Sequence, residues 1–221
     1  MNDMIELFSS SNPESIATSI KLLLLLTVLS LAPAILILMT SFTRIIVVLS
    51  FVRTSLATQQ MPPNQVLIGL ALFMTFFIMA PTFSDVYDDA LKPLFDDELT
   101  LDEAYDRASE PMKEFMAKHT RQKDLALFMN YSQLEKPESI QEIPLTALVP
   151  AFAISELKTA FQMGFMIFVP FLIIDMAVAS VLMSMGMMML PPVMISLPFK
   201  ILLFVLVDGW YLITHSILSG F

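Results

Sequence analysis

The chain has 221 residues, of which 56% are hydrophobic and only 15% charged, and its mean hydropathy is +0.73. An ordinary globular protein is about one quarter charged, so this composition excludes a typical water-soluble domain and predicts a chain that faces lipid or partner proteins. The chain has no cysteine, which excludes disulfide bonds and thiolate metal sites.

The charge is unevenly distributed along the chain. Residues 83–146 hold fifteen Asp and Glu residues against seven Lys and Arg, a balance of −8, whereas the whole chain carries −9. This acidic segment is therefore predicted to be a separate part of the molecule that is exposed to water. Its negative surface repels nucleic acid, so a nucleic-acid-binding function is not expected.

The first membrane span is predicted over residues 22–43, which carry no charge. At 1.5 Å per residue, about 20 such residues cross the hydrocarbon core of a bilayer. Pro33 predicts a kink near residues 29–33, because a proline removes one helix hydrogen bond. The preceding residues 1–21 start with an acidic stretch, and the apolar run is longer than that of a signal peptide, so we expect the span to be retained.

The second apolar helix is predicted over residues 64–80, between a Pro-Pro break and Pro81. Its short length predicts that protein or a water-filled cavity, rather than lipid, surrounds it. Arg44 and Arg53 in the preceding connection favour a cytoplasmic position for that connection by the positive-inside rule. The acidic segment is then predicted to lie on the extracytoplasmic side.

A helix is predicted to begin inside the acidic segment at Thr100. Residues 100–103, Thr-Leu-Asp-Glu, match a capping box in which the threonine hydroxyl and the Glu103 carboxylate each satisfy a free backbone amide. Two apolar stripes at i, i+3, i+4 spacing follow, and they are Met112, Phe115 and Met116, then Leu125, Phe128 and Met129. They predict faces that pack on one another or on a sister subunit rather than bind a ligand.

The C-terminal part of the chain is apolar again and is predicted to form a second helical hairpin. Residues 161–182 are long enough to span a membrane, Gly186 and the following Pro-Pro pair mark a turn, and residues 195–213 form the return helix. The predicted fold is an all-α membrane protein, with about four membrane-embedded helices in two hairpins that flank an acidic, helical extracytoplasmic insert. Its parts are an N-terminal segment at 1–21, the first hairpin at 22–82, the insert at 83–146 and the second hairpin at 147–221.

Five methionines lie within seven residues at the predicted turn, directly before a Leu-Pro-Pro sequence. Methionine is unbranched and polarizable, so a ring of its side chains can close around a varied object and reopen. We therefore predict a pore gasket at the turn, formed by Met185, Met187, Met188 and Met189. The alternative is that these residues only fill gaps in the core, but a hairpin turn is where buried core is least expected.

Charged side chains inside apolar segments cost several kcal/mol unless they are paired or solvated. Arg44 and Arg53 point to opposite faces of any continuous helix, and they are either cytoplasmic anchors or partners in subunit pairing. Lys200 needs a counter-charge, and Asp175 lies about level with it on the antiparallel helix of the same chain. Glu156 is too far along that helix to reach Lys200, except from a staggered neighbouring copy.

No catalytic site, metal site or cofactor is expected. Asp175 and Asp208 are the only formal pair for an intramembrane aspartyl protease, and neither lies in a Gly-Asp elbow. His119 and His215 are far apart in the sequence, which argues against a metal site built on them. With five glycines in the chain, a Gly-rich phosphate loop is not available.

Three stretches together resemble the FliP family of type III export-gate proteins. They are TSFTRIIVVLSFVR at 40–53 with QQMPPNQ at 59–65, PAFAISELKTAFQMGF at 150–165, and IDM at 174–176 through MGMMMLPP at 185–192. Each stretch is long and specific. The resemblance covers the chain from about residue 22 to the C-terminus, and the acidic segment matches in position more than in residues.

The resemblance implies a ring of copies of this chain in the bacterial cell membrane, at the flagellar basal body. FliQ-like, FliR-like and FlhB-like subunits would join the ring, and unfolded export substrates would leave the cytoplasm through it. The resemblance also implies that the helices form a cone raised above the usual membrane plane, unlike a simple spanning topology. It suggests that Glu156 pairs with Lys200 of a neighbouring copy. Many relatives carry a cleavable signal peptide that is not evident here.

Two alternatives remain open from the sequence. The homologous subunit of a virulence injectisome shares all three stretches, and the flagellar branch is favoured because Phe-Thr-Arg at 42–44 resembles the flagellar form. A small-solute transporter or channel built from helical hairpins is the alternative from another class. It would need inverted repeats and polar residues at mid-membrane.

Overall fold

The computed structural model describes residues 23, 26, 27, 30–58, 60–96, 98–132, 137, 139–187 and 189–221. The chain divides into two compact units, residues 1–37 and 38–221. In the first unit the described residues are helical, and from residue 30 onward they belong to helix α1, Ser30–Met39, which contains Pro33. The predicted N-terminal segment and the start of the predicted kink lie outside the described residues.

The second unit is built from helices, and its described residues contain no β-strand. The helices are α2 (Phe42–Ser55), α3 (Asn64–Val86), α4 (Leu101–His119), α5 (Gln122–Tyr131), α6 (Leu145–Ser184), α7 (Pro192–Leu206) and α8 (Gly209–Leu218). A π-helical turn, Tyr87–Leu91, and a last α-helical turn, Lys92–Phe95, extend α3. The prediction of an all-helical fold is confirmed for the described part of the chain.

Helix α3 is longer than the sequence predicts. The prediction ended it before Pro81, but Pro81 lies inside the helix, and the π-helical turn carries the helix on to Phe95. A proline inside a helix removes one backbone hydrogen bond, and a bend can accommodate its ring without ending the helix. The continuous segment Asn64–Phe95 has 32 residues, so the prediction of a short helix was wrong.

Helix α2 lies at the centre of the main core. Four of its apolar residues, at i, i+3, i+4 and i+7 spacing, form one buried face, and they are Ile45, Val48, Leu49 and Val52. This core also takes in residues of α3, α6, α7 and α8. Gly164 allows α6 to approach closely, because a Cβ at this position would lie 2.4 Å from the ring of Phe51 on α2. The core therefore joins the two predicted hairpins into one unit.

Two helices, α4 and α5, form in the acidic segment. The hydroxyl of Thr100 accepts a hydrogen bond from the backbone N–H of Glu103, and the Glu103 carboxylate accepts one from the backbone N–H of Thr100. The predicted capping box is therefore confirmed. Met116 of the first apolar stripe is fully buried in a second core with Leu148 and Phe152 of α6. The stripe thus packs within the chain.

The second hairpin differs from its prediction in two respects. Helix α6 runs for 40 residues and begins at Leu145, well before the predicted span. The return helix is broken, because α7 ends at Leu206 and α8 begins at Gly209 with a bend of 63°. Asp208, between them, has φ +50° and ψ +55°, a left-handed conformation that an α-helix of L-residues cannot continue.

The helices long and apolar enough to cross a membrane are Asn64–Phe95 and Leu145–Ser184. Among the described residues these are two spans. There are up to four if the bent pair α1 and α2 is counted as one span and the bent pair α7 and α8 as another. This count applies to the described part of the chain and is compatible with the predicted number of about four membrane-embedded helices.

Candidate functional site

A buried ion pair joins α2 to α6. Arg44 Nε donates a hydrogen bond of 2.8 Å to Oε2 of Glu156, and Arg44 Nη2 donates to Oε1 of the same carboxylate. Arg44 is 3% exposed and Glu156 is fully buried. The contact is bidentate, the geometry in which a planar guanidinium and a carboxylate match best. Removing either member would leave the other buried without its counter-charge.

The last two residues, Gly220 and Phe221, also contact the guanidinium group of Arg44. Arg44 Nη1 donates a hydrogen bond of 2.8 Å to the carbonyl oxygen of Gly220, and the Phe221 ring centroid lies 3.8 Å from the guanidinium carbon. Phe221 also contacts Phe115 and His119 of α4, with ring centroids 6.2 and 5.0 Å away. The C-terminal residues therefore link α4 to the ion pair.

Both arginines lie in helix α2 rather than in the predicted connection. Arg53 is partly exposed, and its Nη1 donates to the side-chain oxygen of Asn64 at the start of α3. Arg44 is buried and paired with Glu156, so it does not reach the solvent as an interfacial anchor would. Only Arg53 then remains available as a cytoplasmic anchor, and that role stays a prediction.

A second charged pair lies between the apolar helices α6 and α7. Lys200 Nζ donates a hydrogen bond of 2.6 Å to Oδ2 of Asp175, and another of 3.2 Å to the carbonyl oxygen of Ser55 at the end of α2. The hydroxyl of Ser196 donates to Oδ1 of Asp175. Lys200 is 2% exposed, so these oxygens replace the water that its ammonium group otherwise requires.

The sequence left two partners open for Lys200, and within the described chain its partner is Asp175. Glu156, the other alternative, is held by Arg44. A pair between Glu156 and Lys200 of a neighbouring copy, which the family resemblance suggests, stays a prediction, because a carboxylate and an ammonium group can each form more than one hydrogen bond. Asp175 accepts hydrogen bonds from both Lys200 and Ser196.

The methionine-rich turn lies at the end of the α6–α7 hairpin and is open to its surroundings. Met185, Met187 and Met189 are 62%, 42% and 98% exposed, and Met188 lies outside the described residues. Gly186 has φ +74°, a left-handed conformation that reverses the chain after α6 and that glycine adopts without strain. In this chain the three methionines do not fill gaps in a core, and their side chains are available to contact other molecules.

The two histidines lie in different surroundings. His119 packs at an angle against the rings of Phe115 and Phe221, whereas His215 contacts Tyr211. Burial, and then the neighbouring charges of Arg44 and Lys118, lowers the pKa of His119 to about 4. His119 is therefore neutral at pH 7.

A polar cluster at the start of α5 was not predicted from the sequence. The buried hydroxyl of Ser155 on α6 donates a hydrogen bond of 2.6 Å to Asp124 and accepts one of 3.1 Å from the backbone N–H of Arg121. Arg121 also forms an ion pair with Asp124. Burial alone would raise the pKa of Asp124, but the hydrogen bonds from Ser155 and Arg121 and the charge of Arg121 hold it below its usual value. The cluster fastens α5 to α6.

Sequence reasoning also missed the pair of Arg44 and Glu156. The two residues are 112 positions apart and share no local motif. One signal was available, because Arg44 is the only charge in residues 22–52 and Glu156 is the only charge in residues 143–157. A charged side chain in an apolar segment costs less free energy when it pairs with an opposite charge than when it must extend to water. Two isolated, opposite charges in apolar segments are therefore candidates for such a pair.

The comparison with known proteins agrees with the three sequence stretches. The model of the FliP family matches residues 25–217. The chain belongs to the FliP family. It is 76% identical to the flagellar biosynthetic protein FliP of Bacillus subtilis (strain 168) over 221 residues, which cover all of both chains. It is 56% identical to FliP of Caulobacter vibrioides over 202 residues, which cover 91% of this chain and 76% of that one.

A third relative is FliP of Pectobacterium carotovorum, 53% identical over 208 residues that cover 94% of this chain and 81% of that one. All three relatives bear the name flagellar biosynthetic protein FliP. The preference for the flagellar branch of the FliP family is therefore confirmed. The chain is a flagellar FliP-family protein with helices able to span a membrane.

Proposed function

We propose that this chain is a pore-forming subunit of the flagellar type III export gate. Copies of the chain form a ring with FliQ-like, FliR-like and FlhB-like subunits, and unfolded flagellar proteins pass through it across the cytoplasmic membrane. The observation that carries the proposal is 76% identity over its full length to a flagellar biosynthetic FliP. The chain supplies the structure of the passage and performs no reaction.

The exposed apolar surface of the helices supports an assembly. Phe73 and Phe77 on α3 are 77% and 72% exposed, and Phe161 and Phe165 on α6 are 56% and 66% exposed. Large aromatic side chains in such numbers are covered by lipid or by other subunits in a working protein. This surface is therefore free to contact lipid or the other subunits of the proposed ring.

The charges favour an extracytoplasmic position for the acidic segment. This segment carries most of the net charge and folds into the water-compatible helices α4 and α5. In the sequence, Arg53 precedes the apolar helix α3 and the acidic segment follows it. Basic residues favour the cytoplasmic side, so the acidic segment is expected on the opposite side. Substrates then meet the methionine-rich turn on the cytoplasmic side and leave past the acidic segment.

The methionine-rich turn is the proposed constriction of the passage. Met185, Met187 and Met189 are exposed at the tip of the hairpin, and in a ring each tip would meet its neighbours around the axis. Flexible thioether side chains can seal the opening at rest and yield to different polypeptides. Met188, the fourth predicted gasket residue, lies in the same turn of the sequence.

The decisive experiment expresses this chain in Bacillus subtilis that lacks its own FliP. Swimming and the amount of filament protein secreted into the medium should both be restored. Restored membrane localisation without secretion, at normal expression, would contradict the proposed function.

The constriction is tested by replacing Met187, Met188 and Met189 with alanine in the same strain. We expect the membrane to leak small ions, because the seal is lost while packing elsewhere is unchanged. Membrane potential, followed with a dye, is the measurement. A matched control replaces Met163, Met166 and Met176 of α6 instead and should leave the potential unchanged. Normal potential in an assembled turn variant would refute the gasket.

A further inference from the structure

A cleft on the surface of the second unit lies between α3 and α4. Its cavity has a volume of about 470 Å³, and the end of α8 and Phe221 complete its walls. Sites for small molecules usually have about 300–1,000 Å³, so the cleft is large enough for a ligand. Helix α3 lines it from Phe77 to Asp85. These two residues are about 12 Å apart along the helix, at 1.5 Å per residue. We call this surface the interfacial cleft.

One end of the interfacial cleft is apolar. Phe77, Ile78 and Pro81 of α3 line this end, and Leu218 of α8 also lines the cleft. The Phe77 side chain is 72% exposed, so the chain itself does not cover it. An apolar surface of this kind is suited to a hydrocarbon chain.

The other end of the interfacial cleft is charged, and it carries Asp85 of α3 with Glu114 and Lys118 of α4. No cation of the described residues forms an ion pair with either carboxylate. Lys118 donates a hydrogen bond of 3.0 Å to the carbonyl oxygen of Phe221, but it keeps its charge, and its ammonium group has two further N–H donors. His119 has a pKa of about 4 and is uncharged at pH 7. This end therefore offers two negative charges and one positive charge.

The charges along α3 place the interfacial cleft at the boundary of the membrane. Residues 54–84 carry no charge, and Asp85 is the first charged residue after them. Asn64 and Ser84 are about 30 Å apart along the helix, which equals the thickness of the hydrocarbon core of a bilayer. If α3 crosses the bilayer, Asp85 lies at the level of the lipid headgroups and Phe77 lies inside the hydrocarbon. The two ends of the cleft then lie in the two surroundings that a phospholipid joins.

We propose that the interfacial cleft binds a phospholipid with a primary ammonium headgroup, phosphatidylethanolamine. Its ammonium group donates hydrogen bonds to Asp85 and Glu114, its phosphate accepts from Lys118, and a fatty-acid chain covers Phe77. Hydrogen bonds between ionised groups are stronger than those between neutral groups. Phosphatidylglycerol lacks the cation, so it would bring a third negative charge beside the two carboxylates.

This inference goes beyond the proposed function and does not depend on it. It rests on α3 crossing the bilayer, and Asn64–Phe95 is long and apolar enough to do so. It concerns the single chain in the bilayer, before the ring that the family resemblance implies lifts the helices above the usual membrane plane. A lipid in the cleft would contact α3 and α4 together, and it would hold α4 at the membrane surface.

The test measures which phospholipid the full chain retains. The chain is purified in a mild detergent and incubated with equal amounts of phosphatidylethanolamine and phosphatidylglycerol, and native mass spectrometry counts the lipids bound to each chain. We expect phosphatidylethanolamine to be retained about threefold or more over phosphatidylglycerol, a modest preference because exposed charge contacts are individually weak. The variant Asp85→Asn with Glu114→Gln should lose this preference. No preference in the natural chain would refute the proposal.

A matched control removes two negative charges near the cleft but outside it. Asp89 is exposed in the π-helical turn after α3, and Glu110 is exposed one helical turn before Glu114. Neither residue lines the cleft. The variant Asp89→Asn with Glu110→Gln should keep the preference of the natural chain. An equal loss in both double variants would show an effect of net charge alone, and the assigned site would be wrong.

Charge reversal gives a result that misfolding cannot imitate. The variant Asp85→Lys with Glu114→Lys leaves three positive charges at the charged end of the cleft. It should retain phosphatidylglycerol over phosphatidylethanolamine, because the anionic headgroup then meets cations only. A preference that stays with phosphatidylethanolamine would contradict the assigned contacts.

Two further arms separate the lipid from other occupants. Glycerophosphoethanolamine, the same headgroup without fatty acids, should not displace the bound lipid at equal concentration, because it cannot cover the apolar end. Displacement would show that the cleft binds the headgroup alone. If a neighbouring subunit covers the cleft instead, the single chain shows no lipid preference and Glu114→Cys forms disulfide-linked dimers in cell membranes. Either result would overturn the lipid site.

The outcomes for the lipid site and for the proposed function are independent. A chain that prefers phosphatidylethanolamine but does not restore secretion in Bacillus subtilis supports the lipid site and contradicts the export function. A chain that restores secretion without any lipid preference refutes the lipid site alone.

Discussion

Replacing Glu156 by glutamine removes one charge from the most deeply buried ion pair and keeps the shape of the side chain. Arg44, which is 3% exposed, then faces a neutral amide instead of a carboxylate, and its other partners are the Gly220 carbonyl and the Phe221 ring. Removing one member of a buried pair typically costs about 3–5 kcal/mol. At about 2–4 °C per kcal/mol for a chain of this length, the midpoint of thermal unfolding should fall by roughly 6–20 °C.

The assay is thermal unfolding of the purified chain in a mild detergent, followed by circular dichroism. Arg53→Gln is the matched control, because Arg53 lies in the same helix as Arg44 but is partly exposed, so the loss of its charge should cost no more than about 1 kcal/mol. Arg44→Met combined with Glu156→Leu should be more stable than Glu156→Gln alone, since neither charge then stays buried. Equal midpoints for Glu156→Gln and Arg53→Gln would refute the reasoning.

Three further outcomes are expected. The double variant Asp175→Lys with Lys200→Asp should accumulate in membranes to a higher level than either single variant, as measured by immunoblot. Equally low levels of all three variants would show that this ion pair does not stabilise the fold. Ser109→Cys should react with an impermeant maleimide in intact wall-stripped cells, and labelling only after lysis would put α4 in the cytoplasm. His119 has a lowered pKa, so the unfolded chain binds its proton first and stability falls as the pH drops below 6.5. Between pH 7 and pH 5 the free energy of unfolding, measured by urea titration, should fall by about 1–2 kcal/mol. The His119→Asn variant should not show this fall, and the His215→Asn variant should show it.

Local signals in the sequence predicted local structure well. The capping box at Thr100 depends on four consecutive residues, and the turn after α6 depends on Gly186 and the two prolines that follow it. The end of α3 was mispredicted because a proline is a weak stop signal when the helix can bend around it. The break at Asp208 was missed because a left-handed aspartate has no sequence signature comparable with that of glycine.

The candidate site was less predictable, because its contacts join distant parts of the chain. Asp175 was one of the two partners predicted for Lys200, and it was identified by counting residues along an antiparallel hairpin, which requires only the position of the turn. Arg44 and Glu156 come from different hairpins, and no count along the chain relates them. Their pairing depends on how α2 packs against α6, and Gly164 contributes to that packing by admitting the ring of Phe51.

The positions of the two ion pairs divide helix α6 into a fixed part and a free end. Glu156 and Asp175 are about 28 Å apart along α6, at 1.5 Å per residue. The first fastens α6 to α2 through Arg44, and the second fastens it to α7 and to the end of α2 through Lys200. Met185 lies about 15 Å beyond the second pair, and neither pair reaches it. If the methionine-rich turn forms the proposed constriction, a substrate displaces it without breaking either buried ion pair, as a passage that opens and reseals requires.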